Sequence, residues 1–298
     1  MEELISEIKE YLPINYNNSD NNEYINYLID ACDKNSLMEK DQFAYIAFHM
    51  LYMSYIFKVV WQSNQINHLS IQNRLNNYQN RLGNYESPFD ISFLPEKETI
   101  QILRCFGFHI NKISQFALPI DNRDHCAHAS GFIQYKKNDI IQLSNQELNH
   151  IKTIQDKLPT MLANLFEDFF TKNFKPDDPG SLFPSGSDSA ELFIQQKILS
   201  QKDVLSIVKY DFPFLNQDSN NIAIIYKKVF YLLVCAKYDE MMSLDYENFK
   251  KHLPKLMIRF NRQEELYIED LLYNELFEIT NNVDGEELSK LLSINTLT

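Results

Sequence analysis

Apolar residues recur along most of this chain at intervals of three and four, the spacing that lines one face of an α-helix. Phe43, Ala47, Met50, Ser54, Phe57 and Trp61 form one such stripe, and a capping-box pattern at Ser36–Glu39 precedes it, predicting a helix from Ser36 to about Trp61. Ile100, Leu103, Phe106, Ile110, Ile113 and Ala117 predict a second long helix from Glu96 to Ala117, stopped by Pro119. A third stripe, including Ile151, Leu158, Leu165 and Phe169, predicts a helix over Gln146–Thr171 with a kink at Pro159. Shorter helices are predicted for Glu2–Leu12, ended by Pro13, and for Glu23–Cys32. Pro88 and Pro95 bracket an irregular stretch, and Phe132–Leu143 fits either a hairpin or a helix. With only six glycines in 298 residues, the pattern predicts an all-α fold with additional helices towards the C-terminus.

Residues 174–189 break the pattern: three prolines and two glycines mark a linker or long loop. The expected organisation is a helical bundle over 1–173 and a C-terminal helical region over 190–298, with helices at Ala190–Ser200, Lys202–Asp211, Asn220–Met242, Tyr246–Phe260 and Gln263–Thr280. A regulatory role is expected for this second region.

Charge narrows the function classes. A formal charge of −13 argues against non-specific coating of nucleic acid. The charge is uneven: nine bases and six acids fall between Gln42 and Asn138, an excess of +3, so the remainder carries −16. No acid occurs from Gln42 to Tyr85. Two readings stand side by side: a buried helix that lacks carboxylates, or a face kept clear for a polyanion. Arg74 and Arg81, seven apart, could track phosphates or sit on a solvated helix. The acidic residues Glu264, Glu265, Glu269, Asp270, Glu275 and Glu278 would repel nucleic acid. Four scattered cysteines (Cys32, Cys105, Cys126, Cys235) form no CxxC pair, which points to reduced thiols and a cytoplasmic protein. No apolar run is expected to reach membrane-spanning length, the one around Val229–Ala236 being too short, and the acidic Met1–Leu4 does not resemble a signal peptide.

The candidate chemistry sits in Arg123-Asp124-His125-Cys126-Ala127-His128. An arginine grips phosphate oxygens in a fork, and a histidine transfers protons near neutral pH. With Asp121 or Asn122 as N-cap, Arg123 is expected in a helix's first turn, where free backbone N–H groups also attract an anion. Asp124 lies four residues before His128, on the same helical face, and could fix the imidazole tautomer. For RNA the chemistry needs little more: a base removes the ribose 2′-OH proton, the alkoxide attacks the adjacent phosphorus, and the guanidinium stabilises the added negative charge. Protonation of the leaving group calls for a second acid, which a second copy of the motif across a twofold axis would supply. The products would be a 2′,3′-cyclic phosphate and a 5′-OH.

The same string resembles the Arg-x4-His signature of the HEPN superfamily, with a polar residue after the arginine and alanine before the histidine. The resemblance covers roughly residues 20–173. It implies a four- or five-helix up-and-down bundle that dimerises through the motif helix, so that two motifs share one metal-independent endoribonuclease site. It also implies that Arg123 and His128 are catalytic and Asp124 supports them. Such domains are similar to those of bacterial toxins, abortive-infection (antiviral defence) proteins and RNA-targeting CRISPR effectors, so a toxin or anti-phage effector, with an antitoxin or other regulatory protein as a possible partner, is expected. Ser130 stands where some HEPN toxins carry a tyrosine, so tyrosine modification is not implied.

Other readings of these residues remain. Arg123 could be a structural partner of Asp121 with His128 packed beside a helix end, and Asp124, His125 and His128 have a spacing that a metal could use. His49 reads as a packed or surface histidine. No Gly-rich phosphate loop, HExxH or nucleophile elbow is present, and no cofactor is expected. The competing function is a non-catalytic helical module that binds RNA or protein.

Overall fold

The computed structural model describes residues 1–66, 85–127, 135–175, 189–216 and 222–241. Among these the fold is all-α, and no strand forms beyond an isolated bridge between Pro13 and Ser200. The chain divides into two compact units: 1–165 with 197–203, and 166–196 with 204–298. The expected linker at 174–189 lies outside the described residues except for its ends, as do the helices expected over Tyr246–Phe260 and Gln263–Thr280, Arg74, Arg81 and the acidic residues from Glu264 to Glu278.

The first unit is built around one helix. α1 (Glu2–Lys9) and α2 (Ser19–Leu37) precede α3 (Asp41–Gln65), whose residues from Ala44 to Ser63 are almost all buried. Packed on α3 are α2, a 3-10 helix at Pro88–Phe93, α4 (Glu96–Ile102), α5 (Ile110–Ala127) and α6 (Lys137–Gln155). A helix enclosed on all sides needs apolar residues all round. Tyr45, Phe48, Tyr52, Tyr55 and Val59 are fully buried, whereas Phe43 of the expected stripe is exposed. The absence of acids over this stretch of α3 therefore reflects burial. α3 is also long and apolar enough to cross a bilayer, which corrects the expectation that no segment reaches that length; most of it is enclosed by the bundle.

Several helix boundaries differ from those expected. The Ser36 pattern does not start α3. α2 runs on to Leu37, the chain turns through Glu39 in the left-handed region (φ 57°), and α3 begins at Asp41 without a side-chain cap. The amides of Glu39 and Lys40 bond back to Ser36 and Asn35, so Ser36 belongs to the preceding helix end. The break expected at Pro119 occurs instead at Gly107, a left-handed cap (φ 81°) that separates α4 and its 3-10 extension, Leu103–Phe106, from α5. α5 passes through Pro119 unbroken. The carbonyl that proline deprives of a donor belongs to Gln115, an exposed residue, and the Tyr52 hydroxyl donates to the Phe116 carbonyl nearby at 2.9 Å. Pro159 kinks nothing: α6 ends at Gln155 and Pro159 is the first residue of α7 (Pro159–Asn173), where its missing N–H costs no bond.

The segment Lys197–Asp203 belongs to this unit through a buried network. Lys58 donates to Asp203 Oδ2 (2.7 Å), Ser200 Oγ (3.2 Å) and the Tyr11 carbonyl (3.0 Å), and Gln155 donates to Asp203 Oδ1 (2.9 Å). Gln62 donates to the carbonyl of Ile198, a left-handed residue at φ 51°.

In the second unit, Phe166, Phe169 and Phe170 of α7 meet Phe193 of α8 (Ser189–Gln196) and Phe230 of α10 (Ile222–Met241). The part of α9 (Gln201–Val208) from Val204 onward and a 3-10 turn at Pro213–Asn216 complete it. Phe212 and Phe214 pack on Phe166, and Tyr231 donates to the Val208 carbonyl at 2.6 Å.

Candidate functional site

Of the three residues expected to be catalytic, Arg123 and Asp124 are described and lie on α5, while His128 lies outside the described residues. Arg123 is not in a helix's first turn. It lies thirteen positions beyond Ile110, and the backbone amides around it are committed to the helix. The ring of free N–H groups expected to help bind an anion is therefore not at Arg123. The expected N-caps do other work: Asp121 pairs with Lys97 at 2.7 Å, and the Asn122 side chain interacts with the Tyr45 hydroxyl.

Arg123 is partly exposed, hydrogen-bonded to one carboxylate and flanked by a second, towards which its Nε makes no hydrogen bond. Its Nη2 lies 2.5 Å from Glu96 Oε2, and its Nε lies 3.0 Å from Asp124 Oδ1. The structural partner suggested by sequence, Asp121, is not the one used. Asp124, expected to orient His128, faces Arg123 and is more exposed than it. His125 is exposed, in keeping with its place off the Asp124 face.

Glu96 opens a second layer that the sequence did not announce. It is the first residue of α4, where an acidic side chain suits the helix dipole. The same Oε2 that meets Arg123 lies 3.9 Å from Nε2 of His49, a fully buried residue of α3. His49 Nδ1 is 2.9 Å from Oε1 of Glu147 on α6, also fully buried, and the Tyr45 hydroxyl donates to that oxygen at 2.9 Å. The result is a string of alternating charge, Arg123–Glu96–His49–Glu147, running from a partly exposed arginine into the core. His49 is thus packed, as one of its sequence readings had it, but it is an ionisable member of a network.

Burial drives His49 towards its neutral form, but Glu147, with Glu96, outweighs it and carries the imidazole pKa up to about 9. Burial pushes the Glu147 carboxyl upward against the pull of His49 and Tyr45. Both directions have one meaning: the His49–Glu147 pair holds its proton more tightly than free imidazole would. Glu96 is also disfavoured as an anion by burial, but His49 and Arg123 prevail and its pKa is lowered. Next to this string, His150 packs edge-on against Phe116, and burial, with Lys112, takes its pKa down to about 4.

Glu147 escapes a sequence reading because it lies beside Ser144, Leu148 and Ile151 on a stripe whose apolar members dominate. The available signal was polar residues (Ser144, Glu147 and His150) at core spacing. Among the described residues, no group of three His, Cys, Asp or Glu side chains is placed to hold a metal ion. No protein-family model, curated protein or solved structure matches the chain.

Proposed function

We propose that this chain is a metal-independent endoribonuclease of the HEPN kind, a cytoplasmic toxin or anti-phage effector acting as a homodimer. Arg123 clamps the scissile phosphate, His128 exchanges protons with the ribose 2′-OH and the leaving 5′ oxygen, and Asp124 supports them. The observation that carries this reading is the placement of Arg123: partly exposed, on a long bundle helix, five residues before a histidine, and hydrogen-bonded to Glu96 with Asp124 alongside. A clamp held in place before substrate arrives loses little freedom on binding. One motif provides one proton-transfer group, whereas the reaction needs a base and an acid. A second motif across a twofold axis would supply the other.

A second reading, a helical module that binds RNA or protein without cutting it, draws on the same contacts. Nη2 and Nε of Arg123 already face carboxylates, as in a structural ion pair. The two readings separate in one assay with EDTA present. The nuclease cuts RNA and leaves DNA of the same sequence intact, and both Arg123→Ala and His128→Ala abolish cutting. The binding module cuts neither.

A further inference from the structure

We propose that Glu96 is the positioning residue of Arg123 and that His49, anchored by Glu147, positions Glu96 in turn. The ribonuclease reading bears on this inference only where rates are concerned.

Geometry supplies the argument. Glu96 Oε2 is shared between Arg123 Nη2 at 2.5 Å and His49 Nε2 at 3.9 Å. The second distance is too long for a hydrogen bond, and His49 Nε2 has no hydrogen-bond partner in its buried position. Protonated His49 presents Nε2–H as a donor, and closing the gap by about 1 Å would turn the ion-pair contact into a charge-assisted bond. On the other side, Nδ1 meets Glu147 Oε1 at 2.9 Å, which fixes the ring. Each link lies on a different helix: Arg123 on α5, Glu96 on α4, His49 on α3 and Glu147 on α6.

The composition of the string bears on its purpose. Its inner members are fully buried among tyrosines and phenylalanines, where an ion pair loses much of its hydration and an apolar replacement is often at least as stable. Through Glu96 this polar string reaches the partly exposed Arg123, the residue assigned to the phosphate. Among the described residues, the other ionisable groups around it include Asp124 of α5, which faces Arg123, Tyr45 and Tyr52 of α3, Cys126 and Lys112 of α5, His150 of α6 and Cys32 of α2. Burial raises the pKa of both tyrosines and both cysteines, so they stay neutral through the range in which His49 titrates. His150 is neutral there as well, and Lys112 lies beside Phe116 and acts on His150. Of the histidines, tyrosines and cysteines named, His49 is therefore the one whose charge changes over this range.

The test follows the Cζ signal of Arg123 and the ring signals of His49 by carbon NMR from pH 6 to 10 in the full chain. In the wild type the Arg123 signal shifts with the same midpoint as the His49 ring. In Glu96→Gln that step disappears while the helical circular dichroism is retained. An Arg123 signal that stays flat while His49 titrates, or a step that survives in Glu96→Gln, overturns the inference. These readouts need no RNA, so they stand apart from the failure of the wild type to cut RNA, which would overturn the ribonuclease reading alone. Where RNA is cut, Glu96→Gln and His49→Gln each lower kcat by about tenfold or more with KM nearly unchanged, since a clamp displaced by ~1 Å can lose on the order of 100-fold in rate. The double variant is no slower than the slower single one, because both act through one contact. Independent, multiplicative losses would contradict the relay.

Discussion

Lys58 and Asp203 meet at 2.7 Å with both side chains fully enclosed, and the contact binds the centre of α3 to a segment 145 residues further along the chain. Asp203 also accepts from Gln155, Gln62 and the Ser200 amide, so neither of its oxygens lacks a donor. Burial lowers the Lys58 pKa against the pull of Asp203, whereas Lys58 and these donors outweigh burial and lower that of Asp203. Removing one partner leaves the other as an uncompensated buried charge. Lys58→Met is expected to reduce unfolding free energy by about 3–5 kcal/mol, and Lys58→Met combined with Asp203→Leu by distinctly less. Urea unfolding of the three proteins decides this. Additive losses in the double variant would show that the pair is not the unit of stability.

Stability should fall at both ends of the pH range, for different histidines. His49 has its folded pKa raised to about 9, above the ordinary imidazole value of ~6.5. Its contribution is therefore complete below about pH 6.5 and is lost as pH rises through about 9. His150 has its folded pKa lowered to about 4, so its burial costs nothing above about pH 6.5 and destabilises the fold as pH falls from there to about 4. Thermal unfolding across pH 4–10 should show the alkaline loss reduced in His49→Gln and the acid loss reduced in His150→Gln. Unchanged slopes in these variants would refute the assignments.

Glu39 carries backbone strain at an exposed turn. Its φ of 57° costs a side-chain-bearing residue ~1–2 kcal/mol, of which glycine forfeits about 0.4–1 kcal/mol through its freer unfolded chain. Glu39→Gly is expected to stabilise the protein by about 0.5–1 kcal/mol, measured by chemical denaturation. A destabilised variant would mean that the Glu39 side chain supports the turn between α2 and α3.

The all-α architecture was legible because the three-and-four spacing of apolar residues reports helices wherever one face is buried. It was least informative for α3: enclosure on every side removes the periodic signal, and the stripe through Phe43 includes an exposed residue. Boundaries followed tertiary partners more than local punctuation. Pro119 is tolerated because the affected carbonyl lies at the exposed Gln115 and Tyr52 serves Phe116, a bond supplied from another helix. Arg123 was visible as a candidate from residue type and spacing. Its partner Glu96 was not, since 27 positions separate them and the contact exists only because α4 and α5 pack together.

The ribonuclease account meets its most direct test in the ends of the cleaved RNA. An oligoribonucleotide is incubated with the purified full chain in EDTA, and the fragments are weighed by mass spectrometry, alongside a control whose scissile nucleotide lacks the 2′-OH. The account predicts a 2′,3′-cyclic phosphate on the upstream fragment and a 5′-OH on the downstream one, an intact control, and no products from Arg123→Ala or His128→Ala. Cleavage of the 2′-deoxy control, undiminished cleavage by either variant, or no cleavage by the wild type would contradict it.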